Sequence, residues 1–150
     1  MTIKSSSFID GGQLPKKYSC DGNKINPPLE FSNIPQRTKS LALIVEDPDA
    51  PQSSYAPDGV WVHWLVWNID PKKNKIEEGE IGFGVVGSNS SGKQQYYPPC
   101  PPGGEHRYIF KLYALDIILD FLAGGNKTEL LKAMDKHILD TAETFGRYTR

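Results

Sequence analysis

Two short segments concentrate the groups able to do chemistry in this chain. Asp47-Pro48-Asp49-Ala50-Pro51 carries two carboxylates, and Pro101-Pro102-Gly103-Gly104-Glu105-His106-Arg107-Tyr108 carries an imidazole, a guanidinium and a phenol. In both, the polar groups sit beside prolines whose φ is locked. A further imidazole, His63, lies inside the apolar run Val60 to Ile69. Imidazoles and phenols donate hydrogen bonds to phosphate or carboxylate oxygens. Backbone N–H groups around Gly103-Gly104 can join them, because glycine lets the backbone approach closely. Asp47 only accepts, so it suits fixing a histidine tautomer or receiving a ligand ammonium group. Trp61 offers an apolar wall or a face for a cation. The chemistry implied is the seating of a small anion, tighter below about pH 6.5 where imidazoles charge. Two or three hydrogen bonds of roughly 1.5–3 kcal/mol each, less ordering costs, correspond to dissociation constants from about millimolar to tens of micromolar.

Three strands have to bring these groups together. Ser40 to Glu46, Val60 to Ile69 and Arg107 to Leu115 are strand-like and apolar on both faces, so both faces are expected to be covered. Side chains alternate along a strand. The stripes are then Leu41, Leu43, Val45 and Asp47; Trp61, His63, Leu65 and Trp67; and His106, Tyr108, Phe110 and Leu112. Asp47 ends its stripe, whereas His63 and His106–Tyr108 begin theirs. If the polar ends meet, the second and third strands run antiparallel to the first, making a polar mouth over an apolar floor. Plainer readings exist for each residue. His63 also reads as a core histidine satisfied by a carbonyl. Asp47 and Asp49 also read as turn formers, and Pro98-Pro99 with Pro101-Pro102 as an extended spacer. Arg107 alternates away from His106 and Tyr108 and reads as a structural ion-pair partner. His137 reads as solvated or packing, and Trp64 and Trp67 as core.

Elsewhere, Phe8 to Tyr18 reads as a strand, a Gly11-Gly12 turn and a second extended piece. Asn26 to Phe31 must be extended, since Pro27-Pro28 forbids helix. Gly79 to Tyr97 reads as loops with short strand pieces at Glu80–Ile81 and Val85–Val86. Asn126-Lys127-Thr128-Glu129 is a capping box. Leu130, Met134, Ile138, Ala142 and Phe145 follow at helical spacing, with Gly146 as a stop. The pattern predicts a mainly β chain, an antiparallel Greek-key β-sandwich with one C-terminal amphipathic helix.

The 150 residues suit one domain, 1–150. The net charge of −1 gives no general affinity for nucleic acid or acidic membranes. The 14 glycines and 12 prolines agree with many turns. Cys20 and Cys100 could form one disulfide, but two unrelated free thiols are the favoured reading, because Met1 to Ile9 lacks the apolar region of an export signal. No apolar run is long enough for a membrane-spanning helix, and the expected address is cytoplasmic. Ser53 and Ser54 lie near Asp47 but lack a G-x-S-x-G elbow, so no enzymatic activity is expected. Metal-ligand spacing is absent as well, and neither metal nor cofactor is expected.

Taken together, Asp47-Pro48-Asp49-Ala50-Pro51, Trp61-Val62-His63, Pro99-Cys100-Pro101-Pro102, Gly104-Glu105-His106-Arg107-Tyr108, the run Tyr108 to Asp116 and the ending Gly146-Arg147-Tyr148 resemble the signature of the phosphatidylethanolamine-binding proteins. Phe8 to Gly11 and Asn26 to Leu29 fit as well. That family includes the Raf kinase inhibitor proteins and plant flowering regulators, and the likeness is to its shorter bacterial and archaeal branch. The resemblance implies a β-sandwich whose pocket is lined by Asp47, Pro51, Trp61, His63, Pro102, His106 and Tyr108 and takes phosphate-type head groups or other small anions. It implies a cis bond at Ala50–Pro51, a kinase or peptidase as a protein partner, and a homodimer. Two departures stand out: only three residues separate Pro102 from His106, and the pocket-flanking C-terminal segment of longer members is missing. The reading is a soluble binding protein for a small phosphorylated or carboxylated ligand. Its alternative is a peptidase or kinase inhibitor acting through surface contacts, with a vestigial pocket.

Overall fold

A computed structural model describes residues 1–150. Eight strands form: β1 (Thr2–Lys4), β2 (Leu29–Ser32), β3 (Ser40–Asp47), β4 (Trp61–Ile69), β5 (Lys75–Ile76), β6 (Val85–Val86), β7 (His106–Leu115) and β8 (Ile138–Tyr148). One α-helix, α1 (Lys127–Met134), and a 3₁₀ turn at Lys16–Tyr18 complete the list. The strands make two antiparallel sheets, β1-β2-β5 and β6-β4-β3-β7-β8. All eight residues of β3 are buried, as the centre of the larger sheet requires. One core lies between the sheets, where Ile3, Leu29, Phe31 and Ile76 meet Leu41, Leu43, Val45, Trp64, Val66, Phe110 and Leu112. A second core covers the opposite face, with Ala42, Ile44, Leu65, Trp67 and Leu115 under Leu130 and Met134 of α1. Both faces are therefore apolar for a reason, and each fully buried Leu or Phe contributes about 1.5–3 kcal/mol relative to exposure. No helix is long and apolar enough to cross a membrane.

The three long strands lie where the sequence places them, with β4 and β7 each antiparallel to β3. The stripe assignment in β4 does not survive. Val45 pairs with Trp64 and Glu46 with Val62, so His63 is an extra residue, a β-bulge. Leu41 pairs with Ile69 and Leu43 with Val66, so a second shift falls near Asn68, whose φ is 55°. Trp64, Val66 and Ile69 face the inter-sheet core, whereas Leu65 and Trp67 face α1. Simple alternation would put His63 on the same side as Leu65 and Trp67; the bulge separates them.

The C-terminal reading is also corrected. The capping box forms, with Asn126 Oδ1 accepting from Glu129 N at 2.9 Å. The helix stops at Met134, and 138–148, expected to continue it, is strand β8. Ten register pairs with β7, from His106↔Tyr148 to Leu115↔Ile138, outweigh a helical spacing that is only local. Gly146 is no helix stop. A Cβ there would meet Leu14 at 3.2 Å and Phe8 at 3.3 Å, so the small residue admits the N-terminal segment against the sheet. That segment forms no strand of its own: it meets β8 at the parallel bridge Gln13↔Arg147 and where Gly11 N donates to Phe145 O at 2.8 Å and Leu14 N to Arg147 O at 2.7 Å. Glu80–Ile81 is not a strand, Val85–Val86 is, and the sequence reading missed β1 and β5.

The cysteines are joined. Cys20 and Cys100 form a disulfide with Cα atoms 5.4 Å apart across a separation of 80 residues, against the expectation of free thiols. The cause is tertiary: Cys20 N donates to Pro99 O at 3.0 Å, which sets the two backbones side by side. All peptide bonds are trans, Ala50–Pro51 included, so the expected cis bond is absent. The loop turns instead at Asp47, whose Oδ1 accepts from Asp49 N at 2.8 Å.

Candidate functional site: a polar cavity at the end of three strands

Where β3 ends and β4 and β7 begin, a cavity of about 240 Å³ opens. All seven residues singled out from the sequence, Asp47, Pro51, Trp61, His63, Pro102, His106 and Tyr108, wall it. Ala50, Ser53, Tyr97, Cys100 and Pro101 complete the wall and were not foreseen. Register explains the convergence, since Asp47 pairs with Trp61 and Glu46 with Ile109, which puts the polar ends of the three strands at one rim.

Each imidazole is fixed through Nδ1. His106 Nδ1 donates to Asp47 Oδ2 at 2.7 Å, both groups being buried. Burial pushes the Asp47 carboxyl above its usual range, and the His106 hydrogen bond opposes that. His63 Nδ1 donates to Tyr97 O at 2.6 Å, while Tyr97 N returns a bond to His63 O at 2.9 Å. The bulge and the extended, proline-rich segment 97–102 therefore lock each other. Pro98 and Pro99 have no N–H to give a ladder, which keeps this segment out of the sheet. Burial drives the His63 imidazolium off strongly, to a pKa of about 4. The expectation that both imidazoles charge below pH 6.5 is thus wrong for His63, and the satisfied-core reading and the pocket reading both describe it. The Nε2 atoms of both rings make no hydrogen bond in the chain and keep contact with solvent.

Aromatic rings frame these nitrogens. The rings of His63 and Tyr108 meet edge to face with centroids 5.2 Å apart, and Tyr97 lies 5.4 Å from Trp61. Tyr108 Oη and Trp61 Nε1 are buried and have no partner in the chain. Burial also pushes the Tyr108 phenol well up, so it remains a donor. A buried unsatisfied donor costs about 1–3 kcal/mol, a cost shared by Thr38 Oγ1 and Trp67 Nε1, which lie outside the cavity wall. Tyr108→Phe is therefore expected to leave stability unchanged or raise it by up to ~2 kcal/mol, which denaturant unfolding checks.

Arg107 points away, as alternation predicts. Its Nε and Nη2 reach Asp49 at 2.9 and 2.8 Å and its backbone N reaches Asp49 Oδ2 at 2.9 Å, clamping the 47–51 loop to the start of β7. His137 precedes β8 and donates to Asp116 at 2.9 Å, remote from the cavity. No group of three or more His, Cys, Asp or Glu side chains is arranged to hold a metal ion. Beyond Pro101 and Pro102 lies a wider, open groove of about 680 Å³ with Lys16, Asp21 and Arg150. There Arg150 Nη2 and Tyr148 Oη both donate to Asp21, at 3.3 and 2.7 Å, and Gly103 and Gly104, expected to join the anion site, line this groove instead of the smaller cavity.

Fold and cavity together define a class. The sequence matches the family model of the phosphatidylethanolamine-binding proteins over residues 4–149, and the chain belongs to that family. Within it, the chain is 49% identical over 150 residues to a UPF0098 protein of Chlamydia trachomatis, covering all of this chain and 99% of that one. A crystal structure described as a phosphatidylethanolamine-binding protein homologue, CT736 of C. trachomatis, superposes with a TM-score of 0.95 at 49% identity, covering 99% and 97% of the two chains. Escherichia coli YbcL, described as a new member of the mammalian family, gives a TM-score of 0.88 at 27% identity and covers 99% and 98%.

Proposed function

We propose that this protein binds a small oxyanion of the phosphate type in the cavity at the ends of β3, β4 and β7, and that it acts by binding rather than catalysis. The observation that carries this is the convergence of His63 and His106, each ring held through Nδ1, on the wall of one cavity with Tyr108 and Trp61. Asp47 is committed to His106, which orients that ring and leaves its Nε2 for the guest. A volume of about 240 Å³ suits a head group and not a whole lipid.

A hydrolase is the second reading, since Asp47, His106 and Ser53 share the cavity. It is the weaker one: Ser53 Oγ accepts from Ala56 N at 3.2 Å, and no hydrogen bond links it to either imidazole. The disulfide weighs against the expected cytoplasmic address, because such bonds persist mainly in oxidising compartments.

The test is a titration of inorganic phosphate followed by backbone and imidazole NMR shifts. We expect saturable shifts at Trp61, His63, His106 and Tyr108, with a dissociation constant of about 0.01–1 mM. Unmoved signals at all four at high millimolar phosphate remove the proposal.

A further inference from the structure

We propose that the Cys20–Cys100 disulfide is a redox switch for the strand-end cavity: the oxidised chain holds the anion site in shape, and a dithiol reductant that opens the bond weakens the site without unfolding the protein. This names a regulation of the site proposed above and rests on that reading.

The placement of the bond carries the inference. Four of the twelve wall residues, Tyr97, Cys100, Pro101 and Pro102, belong to one stretch, 97–102. Prolines at 98, 99, 101 and 102 leave that stretch almost no N–H groups with which to join a sheet. From Cys100 to Gly104 no backbone group makes a hydrogen bond. A Cβ added at Gly103 or Gly104 would meet nothing within 4 Å, so neither glycine is packed on that side. The stretch is held at its start by the mutual bonds of Tyr97 and His63. Past its end, Glu105 makes only exposed contacts, to Gln13 at 3.2 Å and Arg147 at 3.4 Å. Between these points stand the disulfide, the bond from Cys20 N to Pro99 O beside it, and the burial of Pro99 and Pro101. The disulfide is the covalent member of that set, and it alone fixes a wall residue to the N-terminal segment through side chains.

The bond is also open to attack, since Cys20 and Cys100 are both only half-buried. One thiolate of a dithiol attacks one sulfur, forms a mixed disulfide and expels the other sulfur as a thiolate; the second thiolate of the dithiol then resolves the mixed disulfide. Two electrons and two protons pass to the chain, which ends as two thiols, and the dithiol leaves as its own disulfide. Neither hydrophobic core contains a residue from 97–105, so both cores survive the opening. What changes is the wall. Tyr97 O holds the His63 ring, and a wall that is free to move must be ordered again when a guest enters, at a cost in affinity. Linkage makes the coupling reciprocal: whatever factor separates the two redox states in affinity, a saturating guest makes the disulfide harder to reduce by the same factor.

The experiment titrates inorganic phosphate into the oxidised protein and into the protein reduced with dithiothreitol, following NMR shifts. Reduced protein is expected to bind about tenfold more weakly or worse, with the dispersed signals of β3 and β7 retained and amide exchange faster at Tyr97, Cys100, Gly103 and Gly104. In dithiothreitol redox buffers, saturating phosphate should lower the midpoint potential of the disulfide by about 30 mV for each tenfold in affinity, against sodium chloride at equal ionic strength. Cys20→Ser opens the tether and leaves the cavity wall unaltered in sequence, so it should bind as the reduced protein does, with or without dithiothreitol. Equal affinity in the two redox states, with a midpoint that phosphate does not move, overturns the switch and leaves the anion site standing. Loss of the whole fold on reduction overturns it as well, because the bond then supports the fold and not the cavity. Phosphate that fails to bind even the oxidised protein overturns the site reading itself.

Discussion

Replacing Cys20 and Cys100 together by serine is expected to lower the stability of this protein by about 4 kcal/mol, the entropy of closing a loop of this length in the unfolded chain. For a chain of this size that is a fall in Tm of about 10–15 °C. The effect reaches the cavity, because Cys100 is part of its wall and is flanked by Pro99 and Pro101. Cys20 stands after the 3₁₀ turn and ties that wall to the N-terminal segment. Excess reductant on the unmodified protein should reproduce the loss, and urea unfolding reads both. A fall below about 1 kcal/mol would mean that the segment between the cysteines is already restrained when unfolded, contrary to the chain-entropy account.

Acidification supplies the second large effect. His63 has a folded pKa of about 4 against 6.5 unperturbed, because burial outweighs the hydrogen bond to Tyr97 O, which favours the charged ring. The unfolded chain therefore takes up a proton that the folded chain refuses. Stability from this group is fully present above pH 6.5 and is lost as pH falls toward 4, by about 3 kcal/mol in all. Between pH 7 and pH 4.5 the loss should be about 2–3 kcal/mol. His63→Gln should lack this part of the pH dependence while keeping the contributions of every other group. Parallel stability-versus-pH curves for the two proteins would show that His63 does not carry it.

These expectations rest on contacts that the sequence exposes unevenly. The three long strands and their antiparallel order were legible, because runs such as Leu41 to Val45 and Trp64 to Trp67 are apolar at every position and must be covered on both sides. Strand ends allowed Asp47, His63, His106 and Tyr108 to be placed together on the condition that those ends meet, and alternation turned Arg107 outward. The face of each β4 residue did not follow, because a bulge shifts the alternation and only pairing with β3 reveals it. Tyr97 was invisible as a site residue, since it contributes a backbone carbonyl, which every residue has.

The sequence by itself determined the secondary structure wherever local chemistry was decisive. Pro27-Pro28 forced extension, Asn126 and Glu129 started a helix, and period-independent apolar runs made central strands. Only the tertiary structure decided what depends on partners distant in the chain. Segment 138–148 became a strand because β7 offered it a ladder, Cys20 found Cys100 across 80 residues, and His63 lost its charge because the fold removed its water. Hydrogen-bond ladders, disulfides and desolvation are each properties of a pair or a surrounding, and a linear string of side chains specifies only one member at a time.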